Sequence, residues 1–267
     1  MTGPRAAPLV PTIVERLAAE PEGRVRFLLT VALGRTRTDA PGARAALARM
    51  LGDPDDDVRR AAAGSLGDVG ATDAFAALLA VAAAAKETDD VRRAACSSLA
   101  RLVTGKSDVE AVVALLLELR PRLAADQLRG WCLDLGRAAA ADPKGAAAAR
   151  AREALRELSA SADQDLATSA ISSLVRIAAA ARAAPEPAHL AALRHAVEHW
   201  GPLDASFDIS DVLHLLQPAL EALVELARWP GSGVKSDEVR PVLERTRRDG
   251  NWWQREWAET MLRRLPS

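Results

Sequence analysis

Asp55-Asp56-Asp57-Val58-Arg59-Arg60-Ala61-Ala62-Ala63-Gly64-Ser65-Leu66 returns, little changed, as Asp89-Asp90-Val91-Arg92-Arg93-Ala94-Ala95-Cys96-Ser97-Ser98-Leu99. An earlier copy starts at Val25-Arg26, so Val25, Val58 and Val91 stand 33 residues apart. Each Val is followed eight residues later by a Leu: Leu33, Leu66 and Leu99. On a helix, Val58, Ala62, Ser65, Leu66 and Val69 fall at i, i+4, i+7, i+8 and i+11, which is one face. A period of this length is the mark of stacked helical hairpins, each too small to bury its apolar face alone.

Extended along the chain, the pattern predicts seven hairpins, each with a first helix A and a second helix B. The pairs fall at 8–20 with 23–36, 40–52 with 55–69, 72–87 with 89–104, 107–121 with 124–141, 144–161 with 163–182, 187–200 with 209–228, and 236–248 with 251–265. The turns carry the chemistry such breaks require. Asp53-Pro54-Asp55 ends one helix and offers a cap and first-turn acids to the next. Thr88-Asp89-Asp90 and Asp163-Gln164-Asp165 repeat that arrangement, while Pro185-Glu186-Pro187 and Pro230-Gly231-Ser232-Gly233 break the chain further on. One all-α solenoid over 1–267 is expected, regular over 8–182 and divergent over 186–267.

Composition narrows the function classes. Hydrophobic residues make up 49%, much of it Ala, while aromatics are 3% with no Tyr. Ala favours helix and lets axes approach closely, so stability must come from many modest interfaces. The net charge is −1 from 35 basic and 36 acidic residues, and a dedicated nucleic-acid binder would carry a basic excess. Cys96 and Cys132 lack metal-type spacing and read as small apolar residues. Glu15 and Arg16 interrupt the start, so no signal peptide is read there, and the apolar run 111–117 is too short for a membrane span. The expectation is a soluble, cytoplasmic protein without a cofactor.

The segment 55–70 resembles the second helix of a HEAT repeat, of the short bacterial kind also found in phycobilisome-lyase-like HEAT proteins. The likeness is clear over about residues 20–105 and weaker beyond. It implies a right-handed α-α superhelix of about seven hairpins whose B helices line a concave side where partners dock. It also implies that Arg26, Arg59, Arg92 and Arg129 join a structural ladder with Asp residues of adjacent turns. Arg60 and Arg93 sit one place further round and, with Arg137 and Arg176, are the candidate partner contacts. Such arrays serve many tasks by changing their surfaces, so the fold alone does not fix a function.

Two constellations invite chemistry. His195-Ala196-Val197-Glu198-His199 matches the H-x-x-E-H pattern of inverted zinc proteases, and His195 and His199 at i and i+4 could share a metal. No third ligand is evident, and a solvated helix face is the simpler account. Tryptophan gathers late in the chain, at Trp200, Trp229, Trp252, Trp253 and Trp257. Trp252-Trp253 with Glu256 is similar to the aromatic and carboxylate cluster of HEAT-like alkylpurine DNA glycosylases, though the Asp usual in that family has no counterpart in the corresponding turn here. The competing account is that large rings cap the end of an Ala-rich core, leaving Trp252, Trp253 and Trp257 as a second possible patch. No phosphate loop, nucleophile elbow or paired catalytic carboxylate appears. The expected function is therefore a non-catalytic scaffold or adaptor for a protein partner. A nucleic-acid-binding or glycosylase-like role is the alternative.

Overall fold

Fourteen α-helices and no strand occur among the described residues. The computed structural model describes residues 8–36, 41–200 and 209–266, and the side chains of 41, 198–200, 209–215, 230 and 253 lie outside that description. The helices group into two compact units, Met1–Leu123 and Ala124–Ser267. In the first, α1 (Val10–Ala19) pairs with α2 (Gly23–Arg35), α3 (Pro41–Met50) with α4 (Asp56–Asp68), and α5 (Phe75–Ala83) with α6 (Asp89–Leu102). A further helix, α7 (Lys106–Leu119), packs on α6. The second unit contains α8 (Ala125–Ala140), α9 (Ala146–Ser159), α10 (Gln164–Ala181), α11 (Pro187–Trp200), α12 (Ile209–Ala227), α13 (Arg240–Asp249) and α14 (Trp252–Arg264). Hairpins there are α9 with α10, α11 with α12, and α13 with α14. Second helices also stack on one another, as α2–α4–α6 in one unit and α8–α10–α12 in the other. No described helix is long and apolar enough to cross a membrane.

Helix starts follow the acids and hydroxyls seen in the sequence. Asp55 accepts the Asp57 N–H, Thr88 accepts that of Val91, and Asp163 accepts those of both Asp165 and Leu166. Each satisfies a backbone donor that the first turn leaves orphaned. After α4 the chain turns through Gly70 at φ 64°, a left-handed conformation that glycine adopts without strain, and the Ala71 N–H returns to the Leu66 carbonyl.

The repeating apolar positions form the core. Leu33, Leu66 and Leu99 are each 0% exposed, flanked by fully buried Val58, Ala62 and Ala95. Burying a Leu side chain stabilises by about 1.5–3 kcal/mol, so one such residue per hairpin sets the scale of each added layer. Cys96 and Cys132 are buried within α6 and α8.

A second periodic feature sets how closely the B helices approach. The Ser65 hydroxyl donates to the Thr30 carbonyl of α2 at 3.3 Å, and Ser98 donates to Ala63 of α4 at 2.7 Å. In the second unit Ser173 of α10 donates to Cys132 of α8 at 2.8 Å. Every accepting carbonyl lies four residues before a glycine: Gly34, Gly67 and Gly136. A Cβ at Gly34 would stand 3.1 Å from the Ser65 Cα, one at Gly67 2.8 Å from the Ser98 Cβ, and one at Gly136 2.9 Å from the Ser173 Cα. Glycine on one helix thus makes room for a serine on the next, whose hydroxyl is satisfied on the backbone it approaches.

Candidate functional site

The ladder arginines lie at the turns between repeats. Arg26 makes a two-pronged contact with Asp53, Nε to Oδ2 at 2.7 Å and Nη2 to Oδ1 at 2.8 Å. Its Nη1 also donates to the Pro21 carbonyl at 2.7 Å. Arg59 repeats this one layer on, pairing with Glu87 at 3.0 Å and donating to the carbonyls of Asp53 and Pro54. The fully buried Arg92 donates to the Ala82 carbonyl at 2.8 Å and pairs with Glu118 at 2.7 Å. In the second unit Arg129 pairs with Asp165 at 3.0 Å. In the first unit each guanidinium holds at least one backbone carbonyl earlier in its own hairpin and an acid of the next repeat, a use that suits its planar fork of donors. The acids are as often Glu as Asp.

Asp53 is the most connected of them, since it also accepts the Asp55 N–H at 2.9 Å. Burial favours its neutral form, but the hydrogen bonds from Arg26 and the Asp55 N–H outweigh that and hold its pKa below the ordinary 3.8. A carboxyl whose pKa falls on folding adds stability above its unfolded value and loses it as pH drops through the folded one. Urea unfolding at about pH 5 and about pH 3 is therefore expected to show a smaller acid-induced loss for Asp53→Asn than for the wild type. Equal losses in the two chains would contradict the assignment.

Outward from the ladder, the exposed edges of α2, α4 and α6 enclose a groove of about 420 Å³. Its walls include Arg35, Arg60, Arg93 and Arg101, and its floor includes Gly64 and Ser97. The sequence period explains the layout. Phe27, Arg60 and Arg93 are equivalent positions 33 apart, and the Arg60 guanidinium stands 6.0 Å from the Phe27 ring centroid. Arg60 pairs with Asp57 at 2.7 Å and Arg93 with Asp90 at 3.5 Å, each one turn back on its own helix. Arg101 reaches across to Asp68 at 3.7 Å and donates to the Gly64 carbonyl and the Ser98 hydroxyl. Arg35 has no ion pair among the described residues. The groove is thus a strip of alternating charge over an Ala, Gly and Ser floor. Exposed pairs of this kind contribute little to stability, which leaves their charges available to a partner.

Arg60 and Arg93 are therefore brought together, whereas Arg137 and Arg176 belong to the other unit. Arg137 pairs with Asp134 at 3.2 Å. Arg176 is engaged by Glu221 of α12 at 2.9 Å, with both side chains about four-fifths buried. Glu221 also accepts from Gln217 and from the indole N–H of Trp257, each at 3.0 Å. Trp257 is consequently half-buried and tied to the protein interior, while Trp252 is 62% exposed. The Trp253 side chain lies outside the described residues. So does that of His199, while His195 is exposed on α11. Among the described residues Asp55, Asp56 and Asp57 bring carboxylate oxygens within 4.8 Å of one another, the spacing a cation would need. Asp55 is already the cap of α4, and this exposed cluster is what a helix start of this sequence requires.

Arg35, Asp68, Ser97 and Arg101 are groove residues beyond the sequence expectation. Their signal was positional: 35, 68 and 101 are 33 apart, as are 31, 64 and 97.

Residues 10–100 match the family model of HEAT repeats, and that segment is built of such repeats. No curated protein matches it in sequence. A solved structure similar to it is human deoxyhypusine hydroxylase in complex with glycerol, at 17% identity over 96% of this chain and 95% of that one, with a TM-score of 0.34. A superposition that loose transfers neither fold detail nor chemistry.

Proposed function

We propose that this chain is a non-catalytic, cytoplasmic scaffold that docks a protein segment in the groove formed by α2, α4 and α6. The observation that carries this reading is the groove itself: Arg60 and Arg93 in register over a small-residue floor, each beside its own Asp. A segment bearing acidic residues would take over arginines now held only by exposed Asp partners. Little ordering is needed on this side, because the Ser–Gly contacts beneath the groove fix the helix spacing. The charge pattern favours a protein over nucleic acid, since a phosphate backbone is tracked by a run of unopposed cations, whereas Arg60, Arg93 and Arg101 each have an acid within reach and suit isolated carboxylates.

The test uses a partner first identified by capture on the wild-type chain and then purified. Arg60→Glu with Arg93→Glu is expected to weaken its binding by at least a hundredfold in calorimetry while the melting temperature stays within about 2 °C, as for surface changes generally. Binding unchanged by the double reversal would overturn the groove as the docking surface.

A further inference from the structure

The second unit carries a pocket of a different character. It has a volume of about 650 Å³, within the range of small-molecule sites, and lies where α9, α10 and the start of α11 meet. Four cations line it: Lys144 from the turn after α8, Arg152 and Arg156 one turn apart on α9, and Arg182 at the end of α10. Glu186 is the one carboxylate in the lining, and it stands 3.4 Å from Arg156 and 3.8 Å from His189. Arg152 is steadied by the Pro143 carbonyl at 2.8 Å. Lys144 and Arg182 have no ion pair among the described residues. The excess is therefore about three positive charges, in a protein whose formal net charge is −1. The floor on α10 is apolar: Val175 and Ile177 are fully buried and Leu174 nearly so, while Ala178 and Ala181 are partly exposed.

Arg182 adds an independent sign. It adopts φ 51° and ψ 42°, and it is the one non-glycine residue at positive φ among those described. Its N–H and that of Ala183 return to the Ala178 carbonyl, a helix ending for which glycine is the usual residue. The fold thus keeps a long cation where the backbone would favour glycine, and points strain at the rim of a charged pocket.

We infer that this pocket binds a small organic phosphate, a phosphomonoester dianion with an apolar substituent. The phosphate meets Lys and Arg donors from three segments, and the substituent lies on the partly exposed Ala178 and Ala181. A monocarboxylate would neutralise only one of the three excess charges, and a free phosphate would leave the apolar floor uncovered. This inference does not depend on the docking groove, which is in the other unit.

Hexyl phosphate, hexanoate and inorganic phosphate serve as probes, titrated into the intact protein by calorimetry at about 0.15 M salt. Hexyl phosphate is expected to bind at least tenfold more tightly than either of the others. Arg182→Gly is expected to lose at least tenfold in hexyl phosphate affinity while its melting temperature is unchanged or raised, so lost binding cannot be lost folding. Lys144→Ala should weaken the same binding without disturbing a helix. The inference is overturned if hexyl phosphate binds no better than hexanoate, if Arg182→Gly binds as the wild type does, or if an acidic peptide binds here and hexyl phosphate does not.

Discussion

Glu221→Ala is expected to lower the unfolding free energy by about 3 kcal/mol, the lower end of the cost of breaking a buried ion pair. The Glu221 carboxylate joins three helices: Arg176 of α10, Gln217 of its own α12, and Trp257 of α14. Removing it leaves a guanidinium that is only 18% exposed without its counter-charge, and an indole N–H without its acceptor. Burial pushes the Glu221 pKa up, but the Arg176 charge and the hydrogen bonds from Gln217, Trp257 and Arg176 outweigh it and hold it below the ordinary range. Its contribution is therefore present at neutral pH and lost as acid protonates it, so the effect of the substitution should shrink below about pH 4. Glu221→Gln keeps the shape, loses the charge and should fall between the two. Urea unfolding followed by circular dichroism reads all three chains. A loss below about 1 kcal/mol at pH 7 would mean that this contact behaves as an exposed pair.

Opposite outcomes are expected from two glycines a turn apart on α4. Gly67→Val drives a branched side chain into Ser98 of α6 and should cost about 1–3 kcal/mol through overpacking. At Gly64 an added Cβ meets nothing within 4 Å, so Gly64→Ala should stabilise by about 0.5–1 kcal/mol through helix propensity alone. Thermal unfolding separates them by sign. Shifts in the same direction would show that the B helices are not held at the close approach described above.

These contacts also explain what could be read in advance. The helices were legible because Leu33, Leu66 and Leu99 repeat at a fixed step, and a buried face recurs wherever a hairpin must cover its neighbour. The arginines of the ladder were legible for the same reason. Their partners were not, because Asp53, Glu87 and Glu118 lie 34 and 31 residues apart, the turns between helices varying in length while the helices keep their period. The Ser–Gly contacts were visible as letters, with Gly34 and Gly67 at the repeat step and Ser65 and Ser98 likewise. Pairing them required knowing which helix faces which.

Arg176 shows the limit from the other side. Its place in the pattern is that of Arg101, three residues after a serine that donates to the preceding B helix, yet a carboxylate 45 residues onward takes its charge. The cationic pocket draws on Lys144, Arg156 and Arg182, each unremarkable in its own segment, and only the packing of α9 against α10 brings them together.

Site-specific photo-crosslinking tests the account at its centre. A benzophenone side chain placed at Ser97, in the groove floor on α6, is compared with one at the exposed Ala76 on α5. With the purified partner, crosslinks should form from position 97 and not from position 76. Crosslinks from 76 with none from 97 would put the partner on the first helices and contradict the proposal.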